Sequence, residues 1–355
     1  MRRLGTIIIL LSIVGALVAA TVASSSTRSS TGSWRLLPAT PMPFAQSQAG
    51  VWTGRRLILI GRTPLRNPSK DAAAAYDPAT NHWTKLTPPR SPGYVPGYAT
   101  VWTGKQMFAF DPFHSVAYTP GTNRWRVLPK AINLGLVTWT GREAIGWGGG
   151  CCGDAQKDGS AFNAATGGYR KLPAAPLGPS QHALGAWTGR ELILFISPYD
   201  VDGRARPAAV ATAAAYDPAT NRWHRLAPLP RHPQGGYAMG TGVWNGHELL
   251  VVGAGRAARS AYAYNPATNH WRTLASLPAP RLGGIGVWAG TRLLLVGGEN
   301  RAGKSLSDGL GYDPKTNSWT RLPVGPLRQL YGAAAVWTGH ELIVANHGRT
   351  AAYTP

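Results

Sequence analysis

The chain alternates short apolar runs with polar turns, and the runs are too short and too evenly spaced for helices. Stretches such as Leu57-Ile58-Leu59-Ile60 and Leu293-Leu294-Leu295-Val296 are apolar at every position, as expected of strands covered on both faces. Each follows a segment that ends in Trp and a small turn. Val51-Trp52-Thr53-Gly54, Thr138-Trp139-Thr140-Gly141 and Val287-Trp288-Ala289-Gly290 are three of seven such copies. The Gly supplies the positive φ that a tight hairpin turn needs. Further on comes Tyr76-Asp77-Pro78-Ala79-Thr80-Asn81-His82-Trp83, with close copies beginning at Tyr118, Tyr216, Tyr264 and Tyr312 and Trp seven positions on in each. Pro sets φ, while Asp and Asn bond the local backbone and tolerate the left-handed region, so this segment reads as a turn between two strands.

The repeating unit is therefore strand a (ending Val-Trp), strand b (the apolar run), strand c (ending at Tyr) and strand d (beginning at Trp), four antiparallel strands in about 47 residues. A lone sheet with both faces apolar needs a neighbour on each side, and radial stacking provides that. The prediction is an all-β fold, a seven-bladed β-propeller. The seventh unit stops at Ala351-Ala352-Tyr353-Thr354-Pro355 without a Trp strand, whereas Trp34-Arg35-Leu36-Leu37-Pro38 is a Trp strand with no unit before it. The two ends are expected to complete one blade, closing the ring without leaving a sheet edge. The third unit drifts, with Phe162-Asn163-Ala164 and Tyr169 in place of Tyr-Asp-Pro and Trp.

Composition agrees: the 355 residues include 44 Gly, 29 Pro and 14 Trp, suited to many turns and aromatic anchors. The N-terminus differs from the rest. Arg2 and Arg3 precede an uncharged run, Leu4 to Ala23. Residues 1–23 thus read as a signal peptide or a signal anchor, with 24–32 a Ser/Thr-rich tether and 33–355 the propeller. Secretion and N-terminal anchoring both remain open, and either places the propeller outside the cytoplasm. The formal net charge of +21 is spread through the repeats, Arg55, Arg142 and Arg190 after one turn and Arg126, Arg225 and Arg272 beside the Trp. A ring of positive charge suits solvation or attraction to an anionic envelope polymer. Export makes nucleic acid an unsuitable partner, and a closed array is expected to be a monomer.

In the sixth unit Gly297-Gly298, Tyr312 and Trp319 follow one another in an order that resembles the kelch-repeat β-propellers, the group that includes the central domain of galactose oxidase. The resemblance spans Ser33 to Pro355, and the period is near the roughly 50 residues of kelch repeats. This chain departs from the pattern in two ways: the Gly pair is complete only in the third and sixth units, and strand a carries Trp where the family has smaller aliphatic residues. The copper ligands of galactose oxidase do not carry over. His82, His224, His247, His270 and His340 occupy repeated positions, and His114, His182, His232 and His347 share no ligand spacing. No metal and no cofactor are expected.

In this blade order the a–b and c–d turns share one face, and the b–c and d–a loops share the other. Glu143, Glu191, Glu248, Glu341, Asp77, Asp217 and Asp313 repeat on the first face and read as scaffold. Asp71, Asp111, Asp154, Asp158, Asp200, Asp202, Glu299 and Asp308 all fall between strands b and c, on the second. Gln46, Tyr98, Asn133, His182, Tyr237, Arg281 and Tyr331 lead into the successive strands a and differ from unit to unit. Variable polar loops on a rigid scaffold are where binding is expected. The candidate ligand-binding residues are Asp111, His182, Tyr237, Arg281, Glu299 and Tyr331. The adjacent Cys151 and Cys152 could join in a strained vicinal disulfide or remain thiols. No nucleophile elbow, zinc-binding helix or phosphate loop is present, so no catalytic residue is assigned. The expected function is an exported binding module for a glycan, an envelope polymer or a protein. A carbohydrate-active enzyme of the sugar oxidase or epimerase type and a purely structural envelope protein stand as alternatives.

Overall fold

The computed structural model describes residues 32–41, 44, 48–63, 71–89, 99–110, 115–128, 132–150, 154–197, 211–230, 240–254, 258–328, 330 and 332–355. Residues 1–31, which include the segment expected to be a signal peptide or signal anchor, and Cys151 and Cys152 lie outside them. The described residues form seven four-stranded antiparallel sheets and no helix. Each sheet runs a-b-c-d, as in the sixth, where Ile285–Trp288, Leu293–Val296, Gly309–Asp313 and Ser318–Arg321 pair in sequence. The a strands form an inner ring in which each meets its two neighbours, including Ala334–Trp337 of the last blade against Ala49–Trp52 of the first. Small residues let them converge: a Cβ on Gly286 would lie 2.5 Å from Val243 Cγ2 of the preceding blade.

The core is divided among the blade boundaries. Seven apolar clusters are present, and each joins two adjacent blades. In the first blade Leu57 and Leu59 pack toward the seventh blade, whereas Ile58 and Ile60 pack toward the second. The sixth repeats this, with Leu293 and Leu295 in the cluster shared with the fifth blade and Leu294 and Val296 in that shared with the seventh. A pleated strand turns successive side chains to opposite faces. An uninterrupted apolar run is therefore what a strand between two cores requires.

The chain ends close the ring. Ser33–Leu36 pairs antiparallel with Arg349–Thr354, setting Trp34 opposite Tyr353, and the two rings lie 5.2 Å apart. The strand begins one residue before the Trp34–Pro38 segment read from the sequence and ends at Leu36. Leu37 is buried instead, its N–H bonded to Thr350 O. The indole Nε1 of each Trp that begins a d strand reaches back to the preceding blade: Trp34 to Pro323 O, Trp83 to Pro38 O, Trp125 to Thr87 O, Trp223 to Pro173 O, Trp271 to Ala227 O and Trp319 to Ala275 O, all at 2.5–3.0 Å. The repeated Trp thus serves two sheets, filling its own and latching the one before.

Candidate functional site

On the a–b/c–d face the sequence repeat becomes a hydrogen-bond repeat. Tyr76, Tyr118, Tyr216, Tyr264 and Tyr312 each donate a hydroxyl to the Asn five positions on, at 2.7–2.9 Å. Those Asn residues take φ of 48–55°, a conformation Asn tolerates better than most residues. The hairpin between a and b is closed by Thr: Thr188 Oγ1 accepts the N–H of Glu191 and donates to its carbonyl. The Glu then pairs with the cation after the d-strand Trp position, as in Arg170–Glu143, Arg272–Glu248 and Arg35–Glu341, at 2.6–2.8 Å. Arg170 also donates to Tyr216 of the next blade at 2.8 Å. The Glu143 carboxylate, acting against burial, raises the Arg170 guanidinium above its ordinary value. Tyr264, buried and beside Glu191, is pushed up to about 12. In the first blade Arg56 replaces the Glu and turns to Asp77 at 3.0 Å. Burial raises the Asp77 carboxyl, but Arg56, the Ala79 N–H and Arg55 outweigh it and hold the group below its usual value.

The sixth blade breaks this pattern. Ala289 stands where six units have Thr or Asn, Arg292 where four have Glu, Gly311 where six have Ala, and Thr320 where four have Arg. The anion is gone, and so are a long side chain and a methyl group. A cavity of about 410 Å³ opens there, lined by Arg292, Gly311, Asp313, Thr316, Ser318 and Thr320. Tyr312 and Trp319 contribute to its wall. Among the described residues the Arg292 guanidinium has no hydrogen bond or ion pair. Asp313 accepts the Lys315 N–H at 2.8 Å, and Thr316 and Ser318 share a hydrogen bond of 2.7 Å. In the sequence Asp313 is one of the repeated acids that read as scaffold. The signal was present as four simultaneous departures from the repeat within one unit, but only the fold shows that they adjoin.

Among the described residues the loops of the b–c/d–a face differ from blade to blade. Of the candidate residues, Asp111, Tyr237 and Tyr331 lie outside the described residues. His182 is exposed, and Glu299 is half-buried at the base of a short hairpin, bridged to Leu282 on one side and Ser305 on the other. Arg281 does not present its head group to solvent. Its side chain is 2% exposed, and its guanidinium bonds Gly297 O and, at 2.7 Å, Asp308 Oδ1. This corrects the expectation that it is available to bind a ligand: the backbone carbonyl and carboxylate of its own blade draw the cation inward, where it braces the loop. Asn133 behaves alike in the third blade, donating to Gln156 Oε1 at 2.9 Å and Asp158 Oδ1 at 3.2 Å. Asp158 and Asp308 each precede a strand c, so two carboxylates that sequence reading left available for ligands hold the lead into strand a. Among the described residues no group of three or more His, Cys, Asp or Glu could hold a metal ion.

Comparison with known proteins fits this architecture. The Kelch motif matches residues 289–323, from the a–b turn to the end of strand d in the sixth blade. The solved structure of YjhT superposes with a TM-score of 0.54 at 18% sequence identity, covering 80% of this chain and 99% of that one. At that identity the likeness shows the fold. No curated protein matches in sequence. With seven a-b-c-d blades and a Kelch motif matched in the sixth, the chain is a seven-bladed β-propeller that carries a Kelch motif.

Proposed function

We propose that the protein is an exported binding module that recognises a polar ligand, a glycan, envelope polymer or protein, on the b–c/d–a face. The observation that carries this reading is the contrast between faces. One is tied shut by Tyr–Asn and Thr bonds that recur from blade to blade and by Arg–Glu pairs in the third, fifth and seventh. On the other, the described loops differ from one another: a Gly148-Gly149-Gly150 loop stitched to Ser180 and Asp158, the Glu299–Ser305 hairpin, and the Arg62–Asp71 pair at 3.2 Å. Rigid blades with individual loops suit recognition by several weak contacts at once. His182, Glu299, Asp111, Tyr237 and Tyr331 would contact the ligand, with Arg281 holding the loop in place. Export follows from the Arg pair and uncharged run of residues 1–23.

A glycan and envelope-fraction binding screen on the full-length protein tests this reading. A hit weakened by His182→Ala and Glu299→Gln but not by Glu191→Gln supports it. A hit with the reverse dependence moves recognition to the opposite face. Cell fractionation tests export separately, since full-length protein staying in the cytosol would contradict it.

A further inference from the structure

From the sixth-blade cavity we infer a second binding site, for a small hydroxylated carboxylate of the size and chemistry of a single uronic acid unit. It lies on the a–b/c–d face and is independent of the loop face proposed above.

Elsewhere in the ring the same place holds an ion pair. In the third, fifth and seventh blades a guanidinium meets a carboxylate there, with two N–H donors on its two oxygens: Arg170 to Glu143, Arg272 to Glu248 and Arg35 to Glu341 bond at 2.6–3.2 Å. In the first blade Arg56 is satisfied by Asp77. The sixth blade has a guanidinium too, on Arg292, but no acid at the Glu position and a cavity of about 410 Å³ in place of the pair. Its strands keep their register, with Gly311 opposite Thr320 and Asp313 opposite Ser318. The opening therefore comes from side-chain size and not from distortion of the sheet. Arg292 thus lacks a bonded internal carboxylate, although Asp313, the counterpart of Asp77 in the first blade, also lines the opening.

The lining narrows the ligand. A planar guanidinium matches a carboxylate in a two-point contact. Thr316, Ser318 and Thr320 add hydroxyls that both donate and accept, and Asp313 accepts only, so the rest of the ligand should carry hydroxyl groups. The Asp313 carboxylate also selects against a doubly charged phosphate, because a second negative charge nearby costs more as ligand charge rises. The volume lies near the lower end of the roughly 300–1,000 Å³ typical of small-molecule sites, favouring one sugar unit over a chain.

Calorimetric titration of the full-length protein with D-glucuronate, D-glucose and inorganic phosphate tests the site. Glucuronate is expected to bind at least tenfold more tightly than glucose or phosphate, and Arg292→Gln to weaken it at least tenfold. The double variant Arg292→Glu, Thr320→Arg rebuilds the internal pair of the third and fifth blades. It should fold with unchanged or raised melting temperature and lose glucuronate binding, while Glu143→Gln leaves binding intact. Equal affinity for glucose or phosphate would overturn the carboxylate assignment. Binding that survives in either Arg292 variant, or no glucuronate heat at ~10 mM, would overturn the site. Both results leave the loop-face reading untouched, since His182 and Glu299 play no part here.

Discussion

Trp34 donates its indole N–H to the carbonyl of Pro323 at 2.9 Å, across 289 positions of sequence, and its ring lies 5.2 Å from that of Tyr353. This residue joins the two chain ends into one blade and ties that blade to the sixth. Without it, strand c of the last blade would present an open edge.

Trp34→Ala should therefore destabilise the propeller by about 3 kcal/mol, the range for removing a large aromatic side chain from a packed site. Trp34→Phe keeps most ring contact and loses the hydrogen bond, and should cost about 1 kcal/mol. Chemical denaturation of the two variants measures the difference. Equal losses would mean that the ring contact contributes little to closure.

Asn269 does three things: it accepts the Tyr264 hydroxyl at 2.8 Å, accepts the Ala227 N–H of the preceding blade at 2.8 Å, and holds φ at 54°. Asn269→Ala loses all three and should cost about 2–3 kcal/mol. Asn269→Gly restores the backbone conformation and should recover about 1 kcal/mol of that. If the Gly variant were no more stable than the Ala variant, the left-handed geometry would not be contributing.

Tyrosine ionisation should limit alkaline stability. Burial, then the Glu191 carboxylate, pushes Tyr264 up to about 12 in the folded protein, above the unfolded value near 10. A group with a raised folded pKa contributes stability that is complete below the unfolded value and is lost as pH rises through the folded one. Stability should thus decline between about pH 10 and 12, and Tyr264→Phe should flatten that decline. Denaturant midpoints measured across this window for both proteins give the comparison, and identical slopes would exclude Tyr264 as a source.

Arg281→Ala should lower stability by about 2 kcal/mol with no ligand present, because it leaves Gly297 O and Asp308 without a cationic donor. Arg281→Lys should recover only part, since one ammonium cannot reproduce a planar fork. Thermal unfolding of the free protein decides this. An Arg281→Ala variant as stable as the parent would return the side chain to the role of a solvent-facing ligand contact.

The fold was legible in the sequence because each blade is specified locally and then repeated. The apolar b strand, the Gly of the a–b turn, and the Tyr and Asn of the c–d turn each state a backbone geometry and a burial without reference to distant residues. The unpaired Trp strand at one end and the missing one at the other stated the closure. What the tertiary structure alone decided is where polar side chains spend their hydrogen bonds. Arg281 looked available because the loop between Arg281 and Asp308 hides their meeting at 2.7 Å. Arg292, Gly311 and Thr320 carry no motif of their own in the sequence. Local patterns report strand, turn and face, because those depend on periodicity within a few residues. A cavity depends on how side chains from three strands fill one volume, and in the sixth blade that volume is left open between Arg292 and Thr320.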